Sequence, residues 1–217
     1  MNKSLIIGLS LIFAFAIFTL LIMTVDLQPI GPEGTYVGFA TINGAVERKI
    51  GYNNTLYLIT EFVGNLVVGT AFYFTAVGAI QLFTRKSFLK VDPQLYVIGG
   101  MYILALLLYL VFDKLGVNYR PHISGGEELL EPSYPSSHTL LCLTFAPAGV
   151  ILAPRYIKHR RVLFAFETTV SALALFVIIG RMLSGAHWFT DIVGSVLLGG
   201  GLIALYYALI DYFSYNE

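Results

Sequence analysis

The apolar residues of this chain gather into six runs, near 4–25, 56–83, 95–112, 139–153, 162–182 and 188–207. A helix needs about 20 apolar residues to cross the hydrocarbon core of a bilayer. Inside lipid the backbone must satisfy its own hydrogen bonds, so runs of this kind are read as helices. The rest of the composition agrees. Of 217 residues 57% are hydrophobic and 12% charged, and the mean hydropathy is +0.76. A soluble domain carries about 25% charged residues. So few charges exclude a disordered chain, a coiled coil and a nucleic-acid binder with a basic face. The sequence predicts an all-α polytopic membrane protein: a six-transmembrane-helix bundle with short extracytoplasmic helix or loop segments. Residues 1–217 form a single domain, with no repeat and no low-complexity tract. The fourth run is short unless 136–138 form its first turn. The first is longer than the apolar core of a signal peptide, and Asp26, Leu27, Gln28 and Pro29 offer no small-x-small cleavage site, so it is read as a retained span.

Charge gives the orientation. With the N-terminus in the cytoplasm, Lys3, Arg85, Lys86, Lys90, Arg155, Lys158, Arg160 and Arg161 lie inside, 8 of the 13 basic residues. The expected location is the plasma membrane, multi-pass, with both termini cytoplasmic. Three polar segments then share the extracytoplasmic face: 113–122, 135–139 and 180–191. In a bundle they can meet in one site.

Their spacing suggests chemistry. Arg181 and His187 are six residues apart, about 600° around a helix. A turn at Ser184 and Gly185 therefore separates two helices, the last beginning near His187. His187 and Asp191, four apart, share a helix face, so the carboxylate can hold one imidazole nitrogen and leave the other free to attack. Pro135, Ser136, Ser137 and His138 lead into a helix whose first N–H groups and hydroxyls suit an anion. Two histidines, a carboxylate, long cations and a helix N-terminus make a phosphate site with a nucleophile and a proton donor.

These segments resemble the motifs of the type 2 phosphatidic acid phosphatase superfamily, which includes bacterial lipid phosphatases and vanadium haloperoxidases. The family pattern is Lys, six residues, Arg-Pro; then Pro-Ser-Gly-His; then Ser-Arg, five residues, His, three residues, Asp. Arg120 and Pro121 match the first motif, Pro135, Ser136 and His138 the second, and Arg181, His187 and Asp191 the third. The resemblance implies that His187 is the nucleophile, Asp191 its orienter and His138 the proton donor to the leaving oxygen. It implies that Lys114, Arg120, Ser136, Ser137 and Arg181 contact phosphate, and that neither a metal nor another cofactor is needed. The chain departs from the pattern in four places. Five residues, not six, separate Lys114 from Arg120; Ser137 stands for Gly, Gly180 for Ser and Thr139 for Ser.

The function expected is hydrolysis of a terminal phosphate from a phospholipid or polyprenyl (di)phosphate at the outer leaflet, through a phosphohistidine. Undecaprenyl diphosphate, phosphatidylglycerol phosphate, phosphatidate and diacylglycerol diphosphate fit the motifs equally. The partners are the lipid substrate and the bilayer, with no nucleic acid and no obligatory protein. The alternatives are a catalytically degenerate lipid-phosphate binder and an anionic-lipid transporter. Other residues read more plainly. Cys142 is a small buried apolar residue. His122, Glu127, Glu128 and Glu131 are solvated loop residues, and 36–46 is an amphipathic lid.

Overall fold

All six apolar runs are helical in the computed structural model, which describes residues 3–122 and 130–215. In chain order the helices are α1 (Lys3–Ile22), α2 (Ala40–Ile50), α3 (Asn54–Arg85), α4 (Pro93–Leu115), α5 (Ser137–Tyr156), α6 (Arg160–Leu183) and α7 (Phe189–Tyr215). All but α2 are long and apolar enough to cross a membrane. Ser137 and His138 supply the first turn that the fourth run needed. Local signals set the ends. The Asn53 side chain accepts from the Leu56 N–H at 3.0 Å and caps α3. Pro93 opens α4, and Gly116, with φ +57°, closes it.

The bundle centres on α5 and α7. Small residues on α5 (Ala146, Ala148, Gly149, Ala153) are buried and let its neighbours come close. The Tyr102 ring of α4 stacks on Phe145 of α5 at 4.0 Å. Cys142 is buried on the same helix, as a small apolar residue. Glycines join α1 to α7. A Cβ on Gly8 would lie 2.7 Å from Leu205, and one on Gly201 2.7 Å from Ile12. The outer faces keep large side chains uncovered, Phe72 at 77% exposure and Phe83 at 78% among them. In water that surface would drive association; in lipid it is at rest.

Three helices are tied at the end that carries the basic residues 85–90 and 155–161. Asp92 accepts from Arg85 at 2.8 Å, Gln81 at 2.8 Å and Tyr156 at 3.0 Å. Burial pushes the Asp92 carboxyl up, but those hydrogen bonds outweigh it and hold it below its ordinary value.

The polar segments meet at the opposite end. Helix α2 lies there too, and it is fastened. Asn43, fully buried, donates to the Gly38 carbonyl at 2.8 Å and to the Thr190 hydroxyl at 2.9 Å, and accepts from the Thr190 N–H at 3.2 Å. The stretch 36–46, expected to be a lid, is thus fastened to the start of α7 through Asn43. Of the predicted solvated loop, Glu127 and Glu128 lie outside the described residues.

Candidate active site

His187 sits on the turn between α6 and α7, two residues before α7 begins. Its Nδ1 lies 3.1 Å from the Ser133 carbonyl oxygen and 3.6 Å from Asp191 Oδ2. A carbonyl can only accept, so Nδ1 carries the proton and the neutral ring keeps its lone pair on Nε2. That Nε2 is buried, has no hydrogen-bond partner among the described residues, and belongs to a side chain lining a cavity of about 350 Å³. Burial pushes the imidazole's pKa below its ordinary value. The hydrogen bond to Asp191 pulls it partly back, and the charges of Arg120 and Arg181 push it down again.

Asp191, fully buried in the first turn of α7, does more than face the histidine. Its carboxylate accepts from the Trp188 N–H at 3.0 Å and from Asn118 Nδ2 at 3.3 Å. Its backbone carbonyl accepts from the Ser136 N–H at 3.2 Å. One residue thus joins the segment after α4, the start of α5 and the turn that holds His187. The Trp188 indole adds a second tie, donating to the Tyr119 carbonyl at 2.6 Å.

Arg181, in the last turn of α6, is fully buried. Its Nη2 lies 2.6 Å from His138 Nδ1. A guanidinium can only donate, so Nδ1 accepts and a neutral His138 carries its proton on Nε2. The two histidines are therefore held in opposite tautomers. Arg181 forms no ion pair with a described residue, and its Nε and Nη1 have no hydrogen-bond partner among them. A buried, unpaired charge costs several kcal/mol; donors arranged in this way fit an oxyanion.

Helix α3, which carries no motif, forms a wall of the site. The Tyr57 ring lies 4.7 Å from the Arg181 guanidinium carbon and 5.5 Å from that of Arg120. Its hydroxyl accepts from Arg120 Nη1 at 3.0 Å. Two turns along, Gly64 seats His138: a Cβ there would lie 2.6 Å from the ring's Cδ2. The sequence reading missed both residues. Their signal is faint, since Tyr57, Glu61 and Gly64 stand four and three apart on one helix face.

The remaining expectations divide. Ser137 lines the cavity, whereas the buried Ser136 hydroxyl is 3.0 Å from that of Thr139, within the turn. Lys114 is exposed and is not among the lining residues; Asp113 is. Asp113 stands seven positions before Arg120, where the family pattern has its lysine. Gly180 has a local cause, because a Cβ there would lie 2.4 Å from Thr60 Cγ2. Neither His122 nor Glu131 is merely solvated. His122 Nε2 is 3.2 Å from Glu47, and Glu131 Oε2 is 2.8 Å from Arg120 Nε. Among the described residues no three His, Cys, Asp or Glu side chains gather closely enough to hold a metal ion.

The arrangement defines a class: a polytopic membrane protein with two histidines and two arginines gathered at one end of its helix bundle. The family follows from the sequence, for the model of the PAP2 superfamily matches residues 94–215, more than half of the chain. The chain belongs to the PAP2 superfamily. Its fold is similar to a crystal structure described as the first transmembrane PAP2 type phosphatidylglycerolphosphate phosphatase from Bacillus subtilis. The TM-score is 0.66 and the identity 18%, over 94% of this chain and 96% of that one. No curated protein sequence matches.

Proposed function

We propose that the chain is an integral-membrane lipid phosphatase that removes a terminal phosphate from a phospholipid or polyprenyl (di)phosphate at the outer leaflet. The lone pair that His187 keeps on a buried Nε2, in a side chain that lines the cavity, carries this reading. His187 Nε2 offers a lone pair to phosphorus. His138 offers a proton to the oxygen that leaves once the ring is the imidazolium, having taken a second proton at Nδ1 in place of the Arg181 contact. A neutral ring that gave up Nε2–H would be left an imidazolate. In the first step the N–P bond forms, the P–O bond to the lipid breaks, and His138 protonates the departing oxygen. In the second His138 takes a proton from water, the water oxygen bonds to phosphorus, and the P–N bond breaks to release inorganic phosphate. In this scheme Arg120, which lines the cavity, and Arg181, beside His138, stabilise the negative oxygens as charge develops. The scheme needs no metal. The positive-inside bias puts both termini in the cytoplasm and this site outside.

The test is phosphate release by the detergent-purified protein with EDTA present. Phosphatidylglycerol phosphate is the first substrate, given the description of the Bacillus subtilis neighbour. Phosphatidate, diacylglycerol diphosphate and undecaprenyl diphosphate complete the panel. Release by the wild type, reduced about 10⁴-fold in His187→Ala, is expected. Binding of lipid phosphate without release from any of the four would overturn the reading and leave a binder or a transporter.

A further inference from the structure

The cavity that holds His187 Nε2 has an uneven charge. Arg120 is the cation in its lining, and Glu131 already faces that guanidinium at 2.8 Å. Asp113, near the end of α4, adds a second carboxylate to the lining. Asp113 is exposed and forms no ion pair with a described residue. Arg181, the other guanidinium, is not part of the lining. With His187 neutral, the described residues of the lining carry one cation against two carboxylates, a net charge of −1.

A phosphoryl group bound for His187 must reach the buried Nε2. Whatever is attached to that phosphorus then occupies the rest of the cavity, where Asp113 stands. In a lipid phosphate monoester the attached group is an uncharged alkoxy carbon chain. In a lipid diphosphate it is a second phosphate, bringing at least one more negative charge towards a carboxylate with no counterion among the described residues. Like charges at such range disfavour each other, and salt weakens the effect because the site opens to water.

We infer that Asp113 is a specificity-determining residue that favours lipid phosphate monoesters over lipid diphosphates. The inference rests on the phosphatase reading above and narrows its substrate class.

A matched pair of probes tests it: phosphatidate and diacylglycerol diphosphate with the same acyl chains, in micelles of a neutral detergent. Initial phosphate release gives kcat/KM for each, in the wild type, Asp113→Asn and Asp113→Lys, at low and high salt. The wild type should prefer the monophosphate by about tenfold, the scale of one partly screened charge pair. The preference should fall about threefold in Asp113→Asn and about tenfold or more in Asp113→Lys, and high salt should lower it in the wild type. Asn keeps the size of Asp at an exposed position, so the milder variant separates charge from folding. A wild type that prefers the diphosphate, or a ratio that Asp113→Lys leaves unchanged, would overturn the inference while His187-dependent release still upheld the phosphatase. If neither probe is cleaved, release from undecaprenyl diphosphate and not from phosphatidylglycerol phosphate, itself a monoester, would likewise overturn the inference. No release from any of the four lipids by folded wild-type protein would overturn the phosphatase reading and this inference with it.

Discussion

The guanidinium of Arg181 donates to Nδ1 of His138 across 2.6 Å, and so fixes on Nε2 the proton of a neutral His138. The same logic runs the other way at His187, whose Nδ1 donates to the Ser133 carbonyl at 3.1 Å. Each partner can play only one part, so neither tautomer is free to drift. Arg181 thus sets the His138 tautomer and keeps Nε and Nη1 without a partner among the described residues, the donors that the proposed phosphatase would turn to an oxyanion.

Arg181→Lys separates those tasks from bare charge. An ammonium keeps the charge but lacks the rigid fork that reaches histidine and oxyanion together. The expected result is a fall of about 10² in kcat/KM, the scale of losing one placed oxyanion donor. Steady-state kinetics on whichever lipid the panel selects gives the answer. A loss under threefold would show that charge alone is used.

The pH profile follows from the depressed pKa of His187. The nucleophile is the neutral ring, so activity falls as pH drops through the folded-state value. Burial puts that value below the ordinary one of about 6.5. The acidic limb of kcat/KM should therefore lie below about pH 6.5. Asp191→Asn should move it lower still, because the carboxylate favours the charged ring. Stability has the same sign: the unfolded chain binds a proton that the native one resists, so stability is complete above about pH 6.5 and declines below it. A limb at or above that pH would contradict the assignment.

Tyr57 contacts two guanidiniums in two ways, and two variants distinguish them. Tyr57→Phe keeps the ring beside Arg181 and removes the acceptor for Arg120. KM should rise about fivefold with kcat within about twofold, as expected for one hydrogen bond to a charged group. Tyr57→Leu removes the ring as well and should raise KM by about tenfold more, the upper range of a desolvated cation–π contact. The inhibition constant of inorganic phosphate should follow KM. If phosphate binding is unchanged in both variants, Tyr57 does not position the arginines.

Some of this was legible before any coordinate. Apolar runs of about 20 residues can scarcely be anything but spans, so the six long helices followed from the sequence to within three residues at every end but the last, where α7 runs on past 207 to Tyr215. His187 and Asp191 were legible because their link is local, four residues along one turn. Tyr57 was not, because Arg120 lies 63 positions away and nothing in an apolar span marks one tyrosine from another. Asn43 was hidden for the same reason, 147 positions from Thr190. Its helix, α2, lacks the apolar length that identifies a span and was read as a lid. Lys114 shows the converse error. Residue type drew attention to it, whereas helix geometry puts its neighbour Asp113 in the cavity.

Gly180 allows a test of fit. A serine there meets Thr60, so Gly180→Ser should lower activity by pushing α3 and α6 apart beneath Tyr57. Adding Thr60→Ala should restore much of the loss, since the obstructing methyl is gone. Activity of the double variant at or below that of the single would refute the clash as the cause.

The frame around α7 can be tested through Asn43. Asn43→Ala leaves buried polar groups without partners, at about 1–3 kcal/mol. For a chain of this size that corresponds to a fall of about 5 °C in apparent Tm. Lower activity on long-chain lipids with an unchanged Tm would instead restore the lid.

Asp191 holds three segments together as well as facing His187, and this bears on how such a chain can change over generations. A lineage that ceased to need turnover would lose only the Nδ1 link to the Ser133 carbonyl by replacing His187, whose Nε2 serves no described neighbour. It could not discard Asp191 so freely, because the Trp188 N–H and the Asn118 side chain both donate to its carboxylate. Silent descendants of this protein should therefore keep the aspartate after the histidine has gone. The carboxylate would then mark ancestry, and the imidazole would mark activity.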